Sequence, residues 1–129
     1  MADKPRRVLI SGALGGLGAA LTRTFLQAGD HVFGLYRRNS PPDELTRAAN
    51  VQFHRVDLSD DRAVANIPST FLDVDILINN ASEQPDIEIT HKRSLGDFDR
   101  QWQCGARAAI ALTQLCTPAL LRRRGLVIN

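Results

Sequence analysis

Short apolar runs alternate with stretches of helical periodicity along the chain. The first two runs, Arg7 to Ser11 and His31 to Tyr36, are predicted strands. A helix is predicted between them from about Gly16, with apolar residues recurring on one face at Leu17, Leu21, Phe25 and Leu26. Gly29 is expected to end this helix, because glycine enters the left-handed conformation without steric cost. The pattern therefore predicts a βαβ unit of about 30 residues.

Further apolar runs follow at Val51 to Val56 and at Val74 to Asn79. The second has an unbroken apolar centre, Ile76 to Ile78, which is typical of a strand covered on both faces. Leu126 to Asn129 has the pattern of a fifth strand that has just begun. Apolar strands that alternate with helices predict an α/β fold with a doubly wound parallel sheet and right-handed crossovers.

Two short helices are predicted between these later strands. Residues 41–49 form the first, with Pro42 in its first turn, where a missing N–H costs nothing. The second covers Asp60 to about Ile67, with Ser59 as its cap and Pro68 at its end.

A polar loop is expected from Ser82 to Ser94, followed by one long helix from Asp97 to Arg124. Pro118 is expected to kink that helix near its end. Its apolar face is predicted at Phe98, Trp102, Ala106, Ala109, Ile110 and Thr113.

Composition restricts the function classes. The 129 residues carry a formal charge of +2 with both signs interspersed, which does not indicate a nucleic-acid surface. The dense run Arg122 to Arg124 is interpreted as a solvated helix end rather than a phosphate patch, since cations favour that end of the helix dipole. No run of about 18 apolar residues occurs, so no membrane span is expected.

The two cysteines, Cys104 and Cys116, fall within the long helix at about 18 Å from each other, since each residue adds about 1.5 Å, and this is too far for a disulfide. Reduced thiols predict a cytoplasmic protein. The three histidines are isolated and no zinc-type spacing occurs, so no metal site is expected.

The segment from Ser11 to Gly18, with sequence SGALGGLG, lies between the first strand and the first helix. Gly12 permits a tight turn, Gly16 lets backbone N–H groups approach a pyrophosphate, and Gly18 lets the helix pack closely on the sheet. The alternative is a turn of small residues used only for packing. The flanking strand and helix favour a dinucleotide site in a Rossmann-type fold.

The end of the second strand indicates which dinucleotide. An acid about 20 residues after the glycines holds the ribose of NAD, whereas an arginine accommodates a 2′-phosphate. Here Arg37 and Arg38 follow the strand, and the next acid in the sequence is Asp43. Two guanidinium groups favour NADP(H) over NAD(H). The alternative is that both arginines are solvated loop cations.

The chain resembles the short-chain dehydrogenase/reductase family. Ser11 to Gly18 matches the motif T-G-x-x-x-G-x-G with serine in place of threonine, although its glycines also fit the spacing of the extended, epimerase-like branch. The segment NNAS at residues 79–82 resembles the N-N-A-G motif of the shorter dehydrogenase branch. Asp57-Leu58 matches the aspartate that follows the third strand in this family.

This resemblance implies a set of cofactor-binding residues. Asp57 would accept a hydrogen bond from the adenine amino group, and Asn80 and Ala81 would line the ribose and steady the sheet. Asp57 could equally be a turn or capping residue, and the asparagine pair a polar strand end. The expected residues are Ser11, Gly12, Leu14, Gly16, Leu17, Gly18, Arg37, Arg38, Asp57, Leu58, Asn80 and Ala81.

The family's catalytic residues are missing. The resemblance implies hydride transfer with a Tyr, a Lys four residues later and a Ser, but the only tyrosine is Tyr36, which is followed at that spacing by Ser40. Gly105 stands where the family carries a proton-relay Asn, and Ser82 replaces the last glycine of N-N-A-G. No residue of this chain is therefore predicted to be catalytic.

A complete sheet of this kind needs about 180 residues, so the chain is expected to be a single partial NAD(P)-binding domain over residues 1–129, a fragment from a truncated gene product or partial reading frame. Its expected function is the cofactor-binding part of an NADP(H)-dependent oxidoreductase acting on a carbonyl or alcohol substrate. A non-catalytic nucleotide-binding module and a half-domain that pairs with another chain are the alternatives. A homo-oligomer through the long helix is also possible, since the family commonly dimerises there.

Overall fold

The computed structural model describes residues 4–83 and 92–129. Five parallel strands form one sheet in the order β3-β2-β1-β4-β5. The strands are β1 (Arg7–Ser11), β2 (His31–Tyr36), β3 (Val51–Arg55), β4 (Ile76–Ile78) and β5 (Leu126–Ile128). The chain reverses its direction of travel across the sheet between β3 and β4, which makes the sheet doubly wound. The α/β fold predicted from the alternating pattern is confirmed.

Within residues 4–83 and 92–129, six α-helices connect these strands. They are α1 (Gly16–Gln27), α2 (Asp43–Thr46), α3 (Asp61–Ala65), α4 (Ser69–Leu72), α5 (Leu95–Trp102) and α6 (Ala108–Arg123). A π-helical segment, Gln103–Arg107, joins α5 to α6 without a break. The predicted polar loop falls largely on residues 84–91, which lie outside the described part of the chain.

Two apolar clusters cover the two faces of the sheet, because successive side chains of a strand point to opposite faces. Val8 and Ile10 of β1 belong to one cluster, against which Leu21, Phe25 and Leu26 of α1 pack. Leu9 of β1 belongs to the other cluster, which also contains Leu77 of β4 and, from α6, Leu112 and Cys116. Both faces of the central strands β1 and β4 are thus buried, as the unbroken apolar runs predict.

The βαβ unit has the predicted bounds, and Gly29 ends α1 with a φ of +85°. The predicted apolar face of this helix was wrong at one position. Leu17 does not share the buried face with Leu21 and Phe25 but is 67% exposed at the start of the helix. The Leu17 side chain therefore adds nothing to the core.

The short helices depart from prediction at their ends. The first covers only Asp43–Thr46, and Pro42 precedes it as the capping residue. The helix after β3 is capped by Asp60, whose side chain accepts hydrogen bonds from the amides of Arg62 and Ala63, rather than by Ser59. Ser59 instead donates to Asp57, which removes it from the capping position.

The long helix was predicted with the wrong face towards the core. Phe98, Trp102 and Ile110 are all at least 43% exposed. The buried residues are instead Cys104, Ala108, Leu112, Cys116, Ala119 and Leu120. The π segment was not predicted, and the helix continues through Pro118 to Arg123.

The combined helix Leu95–Arg123 is long and apolar enough to cross a membrane by length and composition alone. It packs as a core helix on the sheet, with Leu112 and Cys116 fully buried. In its last turn, Arg122 and Arg123 form ion pairs with Asp73 at 2.7 and 2.9 Å. The arginine run thus ties the end of the helix to the loop before β4.

Candidate functional site

A cavity of about 510 Å³ opens at the carboxyl ends of the central strands. This is the edge at which doubly wound sheets bind their ligands, where neighbouring connections leave in opposite directions. The cavity is lined by the glycine turn after β1, the end of β2, the residues after β3 and β4, and Cys104 of the π segment.

The glycine turn is built around Gly12, which has a φ of +66°. This is the left-handed region, where a side chain is strained. The amide of Gly15 donates to the carbonyl oxygen of Gly12 at 3.2 Å, and the amide of Ala13 donates to Leu35 of β2 at 2.9 Å. Those two hydrogen bonds fold the loop back over the ends of β1 and β2.

Gly18 is required for close packing between α1 and this turn. A Cβ at Gly18 would lie 1.9 Å from the carbonyl oxygen of Gly12 and 2.8 Å from Nδ2 of Asn80. A Cβ at Gly16, in contrast, would meet no protein atom within 4 Å, although the residue lines the cavity. The two glycines therefore serve different purposes: Gly18 packs against protein, and Gly16 leaves open space.

The first turn of α1 faces the cavity without a capping side chain. The N-cap residue is Gly15, which has no side chain to bond the first amides of the helix. Gly16, Leu17 and Gly18 all line the cavity. The first amides of a helix lack partners within the helix and carry its positive dipole end. Such a helix end is suited to a phosphate group.

The end of β4 is joined to the glycine turn by hydrogen bonds. Nδ2 of Asn80 donates to the carbonyl oxygens of Ser11 and Gly12 at 3.1 and 3.2 Å. Oγ of Ser11 accepts from the amides of Asn80 and Ala81 at 3.1 and 3.0 Å. Ser11 is itself buried, so it shapes the cavity from behind while Asn80 and Ala81 line it.

Arg37 and Arg38 lie at the mouth of the same cavity, where they contact Glu83. Nη1 and Nη2 of Arg37 donate to the two carboxylate oxygens of Glu83 at 3.0 and 3.2 Å. Nη2 of Arg38 lies 3.5 Å from Oε1 of the same group. The hydrogen bonds from Arg37 hold the pKa of Glu83 below its ordinary value, so the carboxylate is ionised at neutral pH.

Asp57 follows β3 and turns towards its own chain. Its Oδ1 accepts from the amide and the hydroxyl of Ser59 at 2.9 and 2.7 Å. These hydrogen bonds lower the pKa of Asp57, and the charge of Arg37 contributes further. The neighbouring Val56 and Leu58 are buried and supply an apolar wall of the cavity.

All the predicted cofactor residues line the cavity except Ser11 and Asp57. Ser11 accepts a hydrogen bond from the amide of Asn80, which does line the cavity, and Asp57 accepts one from the amide of Ser59. Sequence reasoning missed Glu83 and Cys104, which also line it. Neither belongs to the glycine motif or the N-N-A-G-like motif. Glu83 is 46 residues from Arg37 along the chain, so only the packing of the loop after β4 against the end of β2 brings them together.

The fold and the glycine turn define the chain as a Rossmann-type α/β domain. The family model described as short chain dehydrogenase matches residues 6–129, so the chain belongs to the short-chain dehydrogenase family. Curated relatives include the NADP-dependent 3-hydroxy acid dehydrogenase YdfG of Shigella flexneri, 30% identical over 129 residues, and serine 3-dehydrogenase of Rhizobium radiobacter, 31% identical over 128 residues. Each alignment covers 95% of this chain and 52% or 51% of the relative.

Solved structures agree with this assignment. Serine dehydrogenase from Escherichia coli superposes with a TM-score of 0.79 at 30% identity, covering 95% of this chain and 60% of that one. The closed form of serine dehydrogenase complexed with NADP+ superposes with a TM-score of 0.77 at 28% identity, covering 95% and 52%. The chain thus spans about half the length of the curated relatives it matches.

Proposed function

We propose that this chain is the cofactor-binding part of an NADP(H)-dependent oxidoreductase that acts on a carbonyl or alcohol substrate. The observation that carries the proposal is the uncapped first turn of α1, which opens on a cavity with Arg37 and Arg38 at its mouth. The helix end and the two arginines offer two separate anion-binding positions in one cavity. A dinucleotide with a 2′-phosphate has both kinds of anionic group.

Each part of the cavity has a role in this proposal. The amides of the first turn of α1 would hold the pyrophosphate, with Gly16 leaving room for it. Leu58 and Ala81 would contact the adenosine, and Arg37 and Arg38 would hold the 2′-phosphate. Asp57 would accept a hydrogen bond from the adenine amino group through Oδ2, since both hydrogen bonds from Ser59 end on Oδ1. The bound cofactor supplies or accepts the hydride.

The relatives support the choice of cofactor. One curated relative is named as NADP-dependent, and one similar structure holds NADP+. At 28–31% identity these names support the class of cofactor more than the substrate. The proposed substrate is therefore given only by its chemical class: a carbonyl that is reduced to an alcohol, or an alcohol that is oxidised to a carbonyl.

The proposed role of these 129 residues is binding rather than turnover. A phenol needs a nearby cation to act as acid or base at neutral pH, because its ordinary pKa is about 10. The sequence has one tyrosine, Tyr36, and two lysines, Lys4 and Lys92, and no Tyr-x-x-x-Lys. A chain that also carries that motif is required for hydride transfer by the family's chemistry.

Titration calorimetry with NADPH and NADH tests this proposal. The unmodified chain should bind NADPH more tightly, and Arg37→Ala together with Arg38→Ala should lose most of that preference, about tenfold for two charge-assisted contacts. NADH affinity should change little. Arg23→Ala, which removes an arginine paired with Glu44 away from the cavity, is the matched control. Equal affinity for both cofactors in the unmodified chain would contradict the NADP(H) assignment.

The edge of the sheet favours a second candidate function, a non-catalytic half-domain that pairs with another chain. β5 pairs with β4 on one side, and its Leu126 and Ile128 are 54% and 41% exposed. An open edge with apolar side chains is an association surface. Light scattering separates the two functions: a monomer that binds nucleotide supports the first, and an assembly that forms without nucleotide binding supports the second.

A further inference from the structure

Three charged side chains line the cavity among the residues that the structure describes: Arg37, Arg38 and Glu83. The two arginines come from the end of β2, and the acid comes from the loop that follows β4. With Glu83 ionised, the cavity carries one net positive charge at its mouth rather than two. A 2′-phosphate, which is close to a dianion at neutral pH, therefore meets a half-neutralised arginine pair.

Glu83 uses the hydrogen bonds that a phosphate would need. Both terminal nitrogens of Arg37 face both carboxylate oxygens, at 3.0 and 3.2 Å, which is the fork geometry that guanidinium groups offer to carboxylates and phosphates alike. The Glu83 side chain is only 16% exposed, so this is an enclosed contact and not a surface ion pair. A phosphate at Arg37 has to displace the carboxylate or share the guanidinium with it.

A second contact helps to hold the carboxylate in place. Sγ of Cys104, in the π segment, lies 3.4 Å from Oε2 of Glu83, where the thiol can donate to the carboxylate. Burial, together with this carboxylate, raises the pKa of Cys104, so the sulfur keeps its proton. Glu83 is thus held by both Arg37 and Cys104 and is largely enclosed.

We propose that Glu83 is a specificity-determining residue whose carboxylate competes with the cofactor's 2′-phosphate for Arg37 and Arg38, and so lowers the preference for NADP(H) over NAD(H). This rests on the proposed cofactor-binding function. A ribose without a 2′-phosphate does not need hydrogen bonds from Arg37, so the ion pair between Arg37 and Glu83 stays intact. The same carboxylate presents acceptor oxygens to a ribose hydroxyl, the role that an acid at the end of β2 has in NAD sites.

The test uses two small probes that differ only in the 2′-phosphate: adenosine 2′,5′-bisphosphate and 5′-AMP. Their dissociation constants are measured by calorimetry on the full 129-residue chain and on Glu83→Gln, which keeps the shape and removes the charge. Glu83→Gln is expected to bind the bisphosphate about tenfold more tightly, the worth of a freed charge-assisted contact, and 5′-AMP within about twofold of the parent. Glu83→Ala, which also removes the charge, should likewise favour the bisphosphate over 5′-AMP.

Glu44→Gln is the matched control, because it removes the same charge from an ion pair with Arg23 outside the cavity. It should leave both affinities unchanged. Unchanged discrimination in Glu83→Gln overturns the inference, and so does weaker binding of the bisphosphate, which would make Glu83 a support for Arg37. If the parent chain binds neither probe, the proposed cofactor-binding function and the inference about Glu83 both fail. If the parent chain prefers the bisphosphate and Glu83→Gln shows the same preference, only the inference about Glu83 fails.

Discussion

The side-chain amide of Asn80 donates to the carbonyl oxygen of Gly12 at 3.2 Å and so joins the end of β4 to the turn after β1. The two residues are 68 positions apart in the sequence. Gly12 occupies the left-handed region, and its carbonyl also accepts from Gly15 inside the turn. One carbonyl thus fixes both the shape of the glycine turn and its distance from the neighbouring strand.

Asn80→Ala should destabilise the chain and loosen the turn. The variant leaves the carbonyls of Ser11 and Gly12 without this donor, which costs about 1–2 kcal/mol in the free energy of unfolding. Urea denaturation measures that loss, and nucleotide affinity should fall with it. Asn66→Ala removes an exposed side-chain amide that donates to the carbonyl oxygen of Arg62. It should lower the free energy of unfolding by less and leave nucleotide affinity unchanged. A chain with Asn80→Ala as stable as its parent would contradict this role.

Alanine at Gly16 and at Gly18 should have opposite effects on stability. A Cβ at Gly18 would lie 1.9 Å from the carbonyl oxygen of Gly12, so Gly18→Ala should cost at least about 2 kcal/mol. Gly16→Ala meets no protein atom and should stabilise the chain by up to about 1 kcal/mol. The same variant should weaken nucleotide binding, since its methyl group enters the cavity. Thermal unfolding and calorimetry on the pair check this, and equal stability losses would refute the packing argument.

Asp30 should make stability fall in acid. Its buried carboxylate pairs with Arg6 at 2.6 Å, and that hydrogen bond lowers the pKa of Asp30 in the folded chain. The stabilisation is therefore fully present above the unfolded pKa of about 3.9 and is lost as pH falls through the lower folded value.

Asp30→Asn tests this directly by urea denaturation at several pH values. At pH 7 it should cost about 1–3 kcal/mol, and the difference from the parent should shrink steadily below about pH 4. Asp99→Asn on the exposed side of α5 should change stability by less than about 0.5 kcal/mol at any pH. A difference that does not depend on pH would show that Asp30 acts by shape and not by charge.

The two thiols should react slowly and in a fixed order. Burial raises the pKa of Cys116 to about 11, and burial together with Glu83 raises the pKa of Cys104, so little thiolate exists at pH 8. Cys104 lines the cavity and Cys116 is fully buried, so Cys104 should react first with a disulfide reagent, and more slowly with NADPH bound. Single Cys→Ala variants assign the two phases. Rapid reaction of Cys116 in the folded chain would contradict its burial.

Local patterns predicted the βαβ unit because its signals lie next to one another in the chain. The bounds of β1 and β2 and the left-handed Gly29 all followed from apolar periodicity and glycine placement. The cap of α3 was missed because Ser59 and Asp60 are both good capping residues, and Ser59 instead bonds Asp57. Such local choices depend on neighbours within two or three residues.

Tertiary packing decided the rest. The long helix has apolar residues around most of its circumference, so periodicity did not distinguish Phe98 and Trp102, which are exposed, from Leu112 and Cys116, which face the sheet. The ion pair between Arg37 and Glu83 joins residues 46 apart. No motif relates those two positions, and only the folded sheet places the loop after β4 beside the end of β2.

The most direct test of the central claim is a backbone amide NMR titration of the chain with NADP+. The claim is that the first turn of α1 and the arginines at the end of β2 bind one cofactor. Saturable shifts should appear together at Gly16, Leu17 and Gly18 and at Arg37 and Arg38, with little change in α4 at the opposite end of the sheet. Shifts that avoid the glycine turn, or that never saturate, would contradict the account.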